Sequence, residues 1–152
     1  MSLPDPRIRA VALGLAVRSG HVLAESYAAS PGRAAFLRAL GGGIDFGETG
    51  AEALRREFRE ELGLEVVVGE RLGVIENIFS YAGEPAHEVA QVFVVAGEGI
   101  DDWPLDERRP VLDSTQGTTA GWHRIDELAT NATDFFPPGI LDLAVGLSRL
   151  EG

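Results

Sequence analysis

Short apolar runs along the chain predict a series of β-strands. Residues 8–17 are mostly apolar and predict a buried strand, and a turn at Ser19 and Gly20 leads into a second strand at residues 21–27. Three consecutive glycines at residues 41–43 predict a break in regular structure and a close approach of the backbone to another group. Later apolar or alternating segments predict strands at residues 64–68, 71–79, 87–96 and 121–125.

The strongest helical pattern lies between Thr49 and Gly63. Thr49 and Glu52 form a capping box at the start, and Gly63 provides a left-handed stop. A second helix is predicted at residues 140–150, and the polar, proline-bearing segment 98–119 predicts a long loop. The first helix has one apolar stripe, made of Ala51, Leu54, Phe58 and Leu62. Strands interspersed with helices, without internal repeats, predict one mixed α/β domain.

The composition excludes several classes of protein. The chain has 152 residues, enough for one domain but not for two of ordinary size. It has no cysteine, which excludes disulfides, thiolate metal sites and a cysteine nucleophile. No apolar run approaches the roughly 18 residues of a membrane span, and the start lacks a signal pattern. We therefore expect a soluble, cytoplasmic protein with no membrane partner.

The charge balance is strongly acidic. The chain has 13 basic residues, all of them arginine, and 24 acidic residues, for a net charge of −11. Such a chain binds nucleic-acid backbone poorly, because each phosphate contact needs a cation to displace counterions. An acidic protein that acts on phosphates would need a divalent metal ion between the two. The charge thus predicts no nucleic-acid partner.

Three glutamates, Glu57, Glu60 and Glu61, lie at positions i, i+3 and i+4 of the first helix and share one face. Like charges at these spacings destabilise a helix by about 0.2–0.5 kcal/mol per pair, and a divalent cation would turn the repulsion into binding. Oxygen ligands without histidine or cysteine favour magnesium or manganese. The spacing alone also fits a solvated acidic surface.

A longer motif surrounds these glutamates. From Gly42 to Leu64 the chain reads GGIDFGETGAEALRREFREELGL, or G-x5-E-x7-R-E-U-x-E-E-x-G-U, where U is a large apolar residue. The fixed positions are Gly42, Glu48, Arg56, Glu57, Phe58, Glu60, Glu61, Gly63 and Leu64. This motif resembles the Nudix box of MutT-like Nudix hydrolases. The resemblance implies a Nudix fold, an α/β domain at residues 4–150 with a mixed β-sheet sandwiched between helices and the box at residues 42–64.

The resemblance also implies an activity. Nudix hydrolases cleave the diphosphate linkage of a nucleoside diphosphate joined to another group, X, with Mg²⁺ or Mn²⁺ as cofactor. Gly41 matches the position whose backbone carbonyl joins the metal, and Glu48 and Arg56 match the pair that braces the loop against the helix. The residues that match the metal-binding and catalytic positions are Glu57, Glu60 and Glu61. Magnesium chemistry agrees with this assignment, because the ion neutralises the diphosphate and activates a water.

Substrate recognition depends on residues outside the box. Tyr81 lies where relatives acting on dinucleoside polyphosphates carry tyrosine, although a packed strand-end tyrosine fits equally well. Arg38 is a candidate for binding a substrate phosphate, or else for offsetting nearby acids. Glu88 is a candidate for reaching the metal or the substrate, or a strand-end carboxylate in solvent. Ile140 stands where MutT-like proteins carry a guanine-reading asparagine, which argues against guanine specificity. Ile78, Phe79 and Tyr81 are instead candidates for apolar or stacking contacts that accept any base.

A further metal ligand is expected from the 98–119 loop. MutT-like relatives supply one about six residues before a tryptophan. Counting back from Trp122 gives Gln116, and Asp113 is the nearest acid. The other acids that could substitute are Asp101, Asp102, Asp106 and Glu107.

Other functions on the same fold stay open. A non-catalytic sensor of a nucleotide or ADP-sugar is the main alternative, although such proteins usually have a degraded box. An isomerase on the same fold is a second alternative. A decapping enzyme would need a basic surface for RNA, which this acidic chain lacks. The expected partner is a small-molecule nucleoside diphosphate derivative, with a homodimer left open.

Overall fold

Two β-sheets and four helices make up the computed structural model, which describes residues 6–131 and 133–151. The strands are β1 Ile8–Leu15, β2 Val17–Arg18, β3 His21–Tyr27, β4 Phe36–Arg38, β5 Leu40–Gly43, β6 Val67–Tyr81, β7 Glu84–Ala96, β8 Arg109–Pro110, β9 Thr119–Arg124 and β10 Phe135–Phe136. The helices are α1 Gly50–Leu62, α2 Glu98–Asp101, α3 Ile125–Thr130 and α4 Ile140–Leu150. The predicted α/β class is confirmed.

The first sheet has the strand order β5-β1-β7-β6, and β1 and β7 are its parallel pair. The second sheet has the order β10-β4-β3-β9-β8, with β2 beside β3. Alternate residues of β1 enter two different cores. Ala12 packs in the core that contains Phe58 of α1, whereas Leu13 packs in the core that contains Ile140 of α4. Strand β1 therefore runs between the two long helices.

Helix α1 has the predicted ends. The Thr49 Oγ1 accepts a hydrogen bond from the Glu52 backbone N–H at 3.1 Å, and Gly63 ends the helix with φ of 65°. The predicted apolar stripe is partly wrong, because Ala53 rather than Ala51 joins Leu54 and Phe58 in the core. The opposite side of α1 is free to present its glutamates.

The glycine run forms β5, so the predicted break in regular structure is wrong. Gly42 pairs with Ala12 of β1, and Gly41 pairs with Leu13. The predicted close approach is present: a Cβ on Gly41 would lie 2.0 Å from the Ala12 carbonyl oxygen, and the φ of Gly41 is 141°. Only glycine allows this edge strand to lie so near β1.

The remaining differences from the predicted elements have local causes. The two strands predicted at 64–68 and 71–79 are one strand, β6, with register shifts on either side of Arg71. The predicted loop 98–119 contains the short elements α2 and β8. α4 begins and ends as predicted. No helix in the described residues is long and apolar enough to cross a membrane.

Candidate active site

Arg56 connects α1 to β5 and to the loop between them. Its guanidinium donates to both carboxylate oxygens of Glu48 at 2.8 Å, and its Nη2 donates to the Gly43 carbonyl at 2.9 Å. Glu48 also accepts a hydrogen bond from the Asp45 backbone N–H at 3.0 Å. These donors hold the pKa of Glu48 at about 2. Arg56 and Glu48 thus fix the loop against the helix.

The candidate catalytic glutamates lie on the side of α1 that faces Gly41. Glu57 packs against Gly42, where a Cβ would lie 2.6 Å from the Glu57 carboxylate carbon. A cavity of about 270 Å³ is lined by Gly41 and by Glu57, Glu60 and Glu61. The structure therefore brings these four residues, distant by up to 20 positions in sequence, to one cavity, which we name the carboxylate cavity.

A fourth glutamate, Glu25 of β3, also lines the carboxylate cavity and was missed by the sequence analysis. Glu25 is buried and accepts a short hydrogen bond from the Thr118 hydroxyl. Burial, and then the negative charges of Glu25 and Glu57, raise the pKa of Glu61 to about 8. One signal in the sequence could have found Glu25: it directly follows three apolar core residues of a strand. A buried carboxylate at such a position is rare unless it is paired.

The donor set of the carboxylate cavity fits magnesium or manganese. It consists of carboxylates and of Gly41, whose backbone carbonyl is a further oxygen donor. Within residues 6–131 and 133–151, no three acidic or histidine side chains are gathered into a ready ligand cluster. Arg56 binds two of these glutamates, since its Nη1 lies 3.0 Å from Glu57 and 3.4 Å from Glu60. Burial and, after it, repulsion from Glu25 and Glu57 raise the pKa of Glu61, and a divalent cation would relieve that repulsion.

The 98–119 loop contributes one acid to the carboxylate cavity. Asp113 lines it, together with Gln116. The other loop acids do not line this cavity; they are Asp101, Asp102, Asp106 and Glu107. Asp113 has a φ of 61°, a conformation that aspartate tolerates better than most residues.

A second cavity, of about 710 Å³, adjoins the first, and Tyr27, Arg38 and Gln116 line both. It brings together the three residues named as substrate candidates, Arg38, Tyr81 and Glu88. We name it the arginine cavity, because Arg7, Arg9, Arg33 and Arg38 line it.

Glu88 is buried rather than solvated, so the solvent interpretation is wrong. Its carboxylate accepts a hydrogen bond from Arg9 Nη1 at 3.0 Å and lies 3.4 Å from Arg38 Nη2. These pairs have no signal in the sequence, because Arg9 reaches Glu88 through the parallel register of β1 and β7. Glu88 therefore positions two guanidinium groups at the arginine cavity.

The predicted base-recognition residues divide into two groups. Tyr81 and Phe79 line the arginine cavity, and the Tyr81 hydroxyl accepts a hydrogen bond from Gln116 Nε2. Ile78 is exposed and does not line it. Ile140 is completely buried in the core and also lies outside the cavity. Ile140 thus offers no contact to a substrate base.

Known proteins share this architecture. The NUDIX domain family model matches residues 6–142 of the chain. The MutT NUDIX hydrolase from Burkholderia pseudomallei is 25% identical, with a TM-score of 0.57 over 92% of this chain and 97% of that chain. The NUDIX-family hydrolase from Clostridium perfringens is 17% identical, with a TM-score of 0.62 over 96% and 99%. The E. coli ORF135 protein is 21% identical, with a TM-score of 0.58 over 100% and 96%.

The family match and the glutamate-bearing helix define a hydrolase that acts on acid anhydrides in phosphorus-containing compounds. The chain belongs to the NUDIX domain family. The predicted resemblance, the Nudix fold and the enzyme class, a Nudix pyrophosphohydrolase, are confirmed. The likeness to the Clostridium perfringens and E. coli proteins, at 17% and 21% identity, supports the fold alone.

Proposed function

We propose that this chain hydrolyses the diphosphate linkage of a nucleoside diphosphate joined to another group, X, with Mg²⁺ or Mn²⁺. The observation that carries the proposal is the adjacency of the two cavities. Carboxylates line one and arginines line the other, and they meet at Arg38. A diphosphate at this junction would face metal ligands on one side and a guanidinium on the other.

Glu57, Glu60, Glu61 and the Gly41 carbonyl would hold the metal ion. When bound, the ion would neutralise the diphosphate and supply a water of lowered pKa. Arg38 would bind a phosphate oxygen and orient the linkage. Tyr27, whose pKa burial raises to about 12, keeps its proton and would donate a hydrogen bond beside Arg38. Glu57, next to Gly42 at the cavity wall, is our candidate for accepting the proton of the attacking water.

We also propose that the protein has broad specificity for the base of its nucleotide substrate. Ile140 is buried where a guanine-reading residue was expected, and Phe79 and Tyr81 offer aromatic surface that accepts any base. A pocket without converging hydrogen bonds discriminates poorly between similar bases, by about one to two orders of magnitude. Dinucleoside polyphosphates belong early in the test because of Tyr81.

A substrate panel with magnesium tests the proposal. The purified protein is assayed on 8-oxo-dGTP, dGTP, diadenosine polyphosphates and ADP-ribose, with phosphate release measured after coupling to a phosphatase. Glu61→Gln and Glu60→Gln are expected to remove most activity. Glu52→Gln is the matched control, because Glu52 is exposed on the same helix and lines neither cavity.

Two results would contradict the proposal. Full turnover of both Glu61→Gln and Glu60→Gln at limiting magnesium would show that these glutamates are not metal ligands. A preference for 8-oxo-dGTP over dGTP above about a thousandfold would show a polar base-reading site.

A further inference from the structure

The arginine cavity has the opposite charge to the chain as a whole. The chain has a net charge of −11, and yet four of its 13 arginines line this one cavity. Among the residues that the structure describes, Glu88 is the sole carboxylate in the lining. Glu88 is shared by Arg9 and Arg38, so it offsets at most one of the positive charges. The lining of the cavity therefore favours an anion.

Aromatic rings hold the Arg33 guanidinium at the arginine cavity. Its Cζ lies 4.4 Å from the centroid of the Phe36 ring and 4.9 Å from that of Tyr81, so that two aromatic rings hold it. Its Nε is buried and has no hydrogen-bond partner in the described part of the chain. A buried donor without an acceptor is costly, and the contacts with the two rings hold Arg33 in place against that cost.

Other donors converge with Arg33. A hydrogen bond from Gln116, and then a hydrogen bond from Arg33 and the positive charges of Arg33 and Arg38, lower the pKa of the Tyr81 hydroxyl. Tyr27, on the same cavity, faces Arg38. Two guanidinium groups and two hydroxyls in one cavity match the several oxygens of a phosphate better than they match a neutral base.

We infer that the arginine cavity binds a phosphate monoester carried by the substrate beyond the hydrolysed diphosphate, and that Arg33 determines this specificity. The inference rests on the proposed function, because the cavity adjoins the carboxylate cavity where hydrolysis would occur. Substrates with the extra phosphate are then preferred over the same compounds without it.

Matched substrate pairs test the inference. One pair is 2′-phospho-ADP-ribose and ADP-ribose, and the other is coenzyme A and dephospho-coenzyme A, each differing by one phosphate. The phosphorylated member is expected to have the higher kcat/KM by about tenfold or more, the effect of one charge-assisted hydrogen bond. Arg33→Gln should remove this preference and leave kcat/KM for the unphosphorylated member within about twofold.

Arg149→Gln is the matched control, because Arg149 is exposed on α4 and lines neither cavity. It removes the same charge and should keep the preference. Equal kcat/KM for both members of both pairs in the parent protein would overturn the inference, whether or not the Arg33 variant folds. An equal loss on both members in Arg33→Gln would also overturn it, since it would indicate base stacking or a structural role.

A binding measurement separates this inference from the proposed function. Calorimetry in chelator compares adenosine 2′,5′-bisphosphate with 5′-AMP, so that no hydrolysis is needed. We expect the bisphosphate to bind about tenfold tighter or more, with an advantage that shrinks as salt is raised. Selective binding without hydrolysis of any substrate would refute the proposed function alone. Hydrolysis with equal affinity for the two probes would refute this inference alone.

Discussion

Replacing Glu61 by glutamine is expected to stabilise the metal-free protein while removing its activity. Burial and the charges of Glu25 and Glu57 raise the pKa of Glu61 from 4.5 to about 8. Between these two values the folded protein binds more protons than the unfolded chain, so its stability falls as the pH rises. Glutamine keeps the shape of the side chain and has no charge to bury. The gain of the variant therefore grows from pH 4.5 and is complete above pH 8.

The size of the gain follows from the pKa. The rise from 4.5 to about 8 corresponds to an upper bound of about 5 kcal/mol in the free energy of unfolding. Glu61 keeps some contact with water, which screens the repulsion, so we expect about 2 kcal/mol. For a chain of this length, that gain raises the melting temperature by about 4–8 °C.

The assay is chemical denaturation in chelator at pH 5 and at pH 8, on the parent, Glu61→Gln and the control Glu52→Gln. The gain of Glu61→Gln should be small at pH 5 and large at pH 8, and Glu52→Gln should follow the parent at both. A Glu61→Gln variant that is no more stable than the parent at pH 8 would refute the crowding of charge at Glu61. Stabilisation with full activity would refute only its catalytic assignment.

Three further predictions test the packing around the site. Gly42→Ala places a methyl group where the Glu57 carboxylate lies, so kcat should fall while the melting temperature changes little. Gly41→Ala collides with the Ala12 backbone and should instead impair folding, which expression levels and thermal melts would show. Arg56→Lys loses the two-pronged contact with Glu48 and should lower the melting temperature by several degrees, and an unchanged melt would contradict the bracing role. Burial, and then the charges of Arg108 and His21, lower the pKa of His123 to about 4. Between pH 4 and 6.5 the unfolded chain therefore binds more protons than the folded protein, and the free energy of unfolding falls as the solution is acidified. His123→Gln should weaken this dependence in denaturation at pH 4.5 and 6.5, and an unchanged pH dependence would contradict the prediction.

Helix α1 could be predicted because its determinants are local. Thr49 and Gly63 mark its ends by side-chain capping and a left-handed φ, and both signals lie next to the residues they affect. The common face of Glu57, Glu60 and Glu61 follows from helical geometry alone. The error at Ala51, two positions from the buried Ala53, arose because burial depends on where β1 and β5 pack, which periodicity does not report.

The contacts of Glu25 and Arg33 could not be predicted because they join distant segments of the chain. Glu25 receives the hydrogen bond of Thr118 because β3 pairs with β9, and Thr118 directly precedes β9. Arg33 meets Tyr81 across 48 positions of sequence. The glycine run was misjudged for the same reason, since a pairing with β1 decides whether glycines form a strand or a loop.

The position of Arg38 connects the two halves of the site. Strand β4, which carries Arg38, is one residue away from β5, which carries Gly41, so a short segment spans both cavities. The acidic excess of the chain would repel a free diphosphate, and the arginines offer the nearest opposite charge. A substrate anchored at the arginine cavity would therefore present its diphosphate at Arg38, beside the glutamates, without relying on the metal ion for all of its binding energy. Affinity and hydrolysis then depend on different side chains, and for that reason Arg33 and Glu61 variants should separate substrate selectivity from turnover.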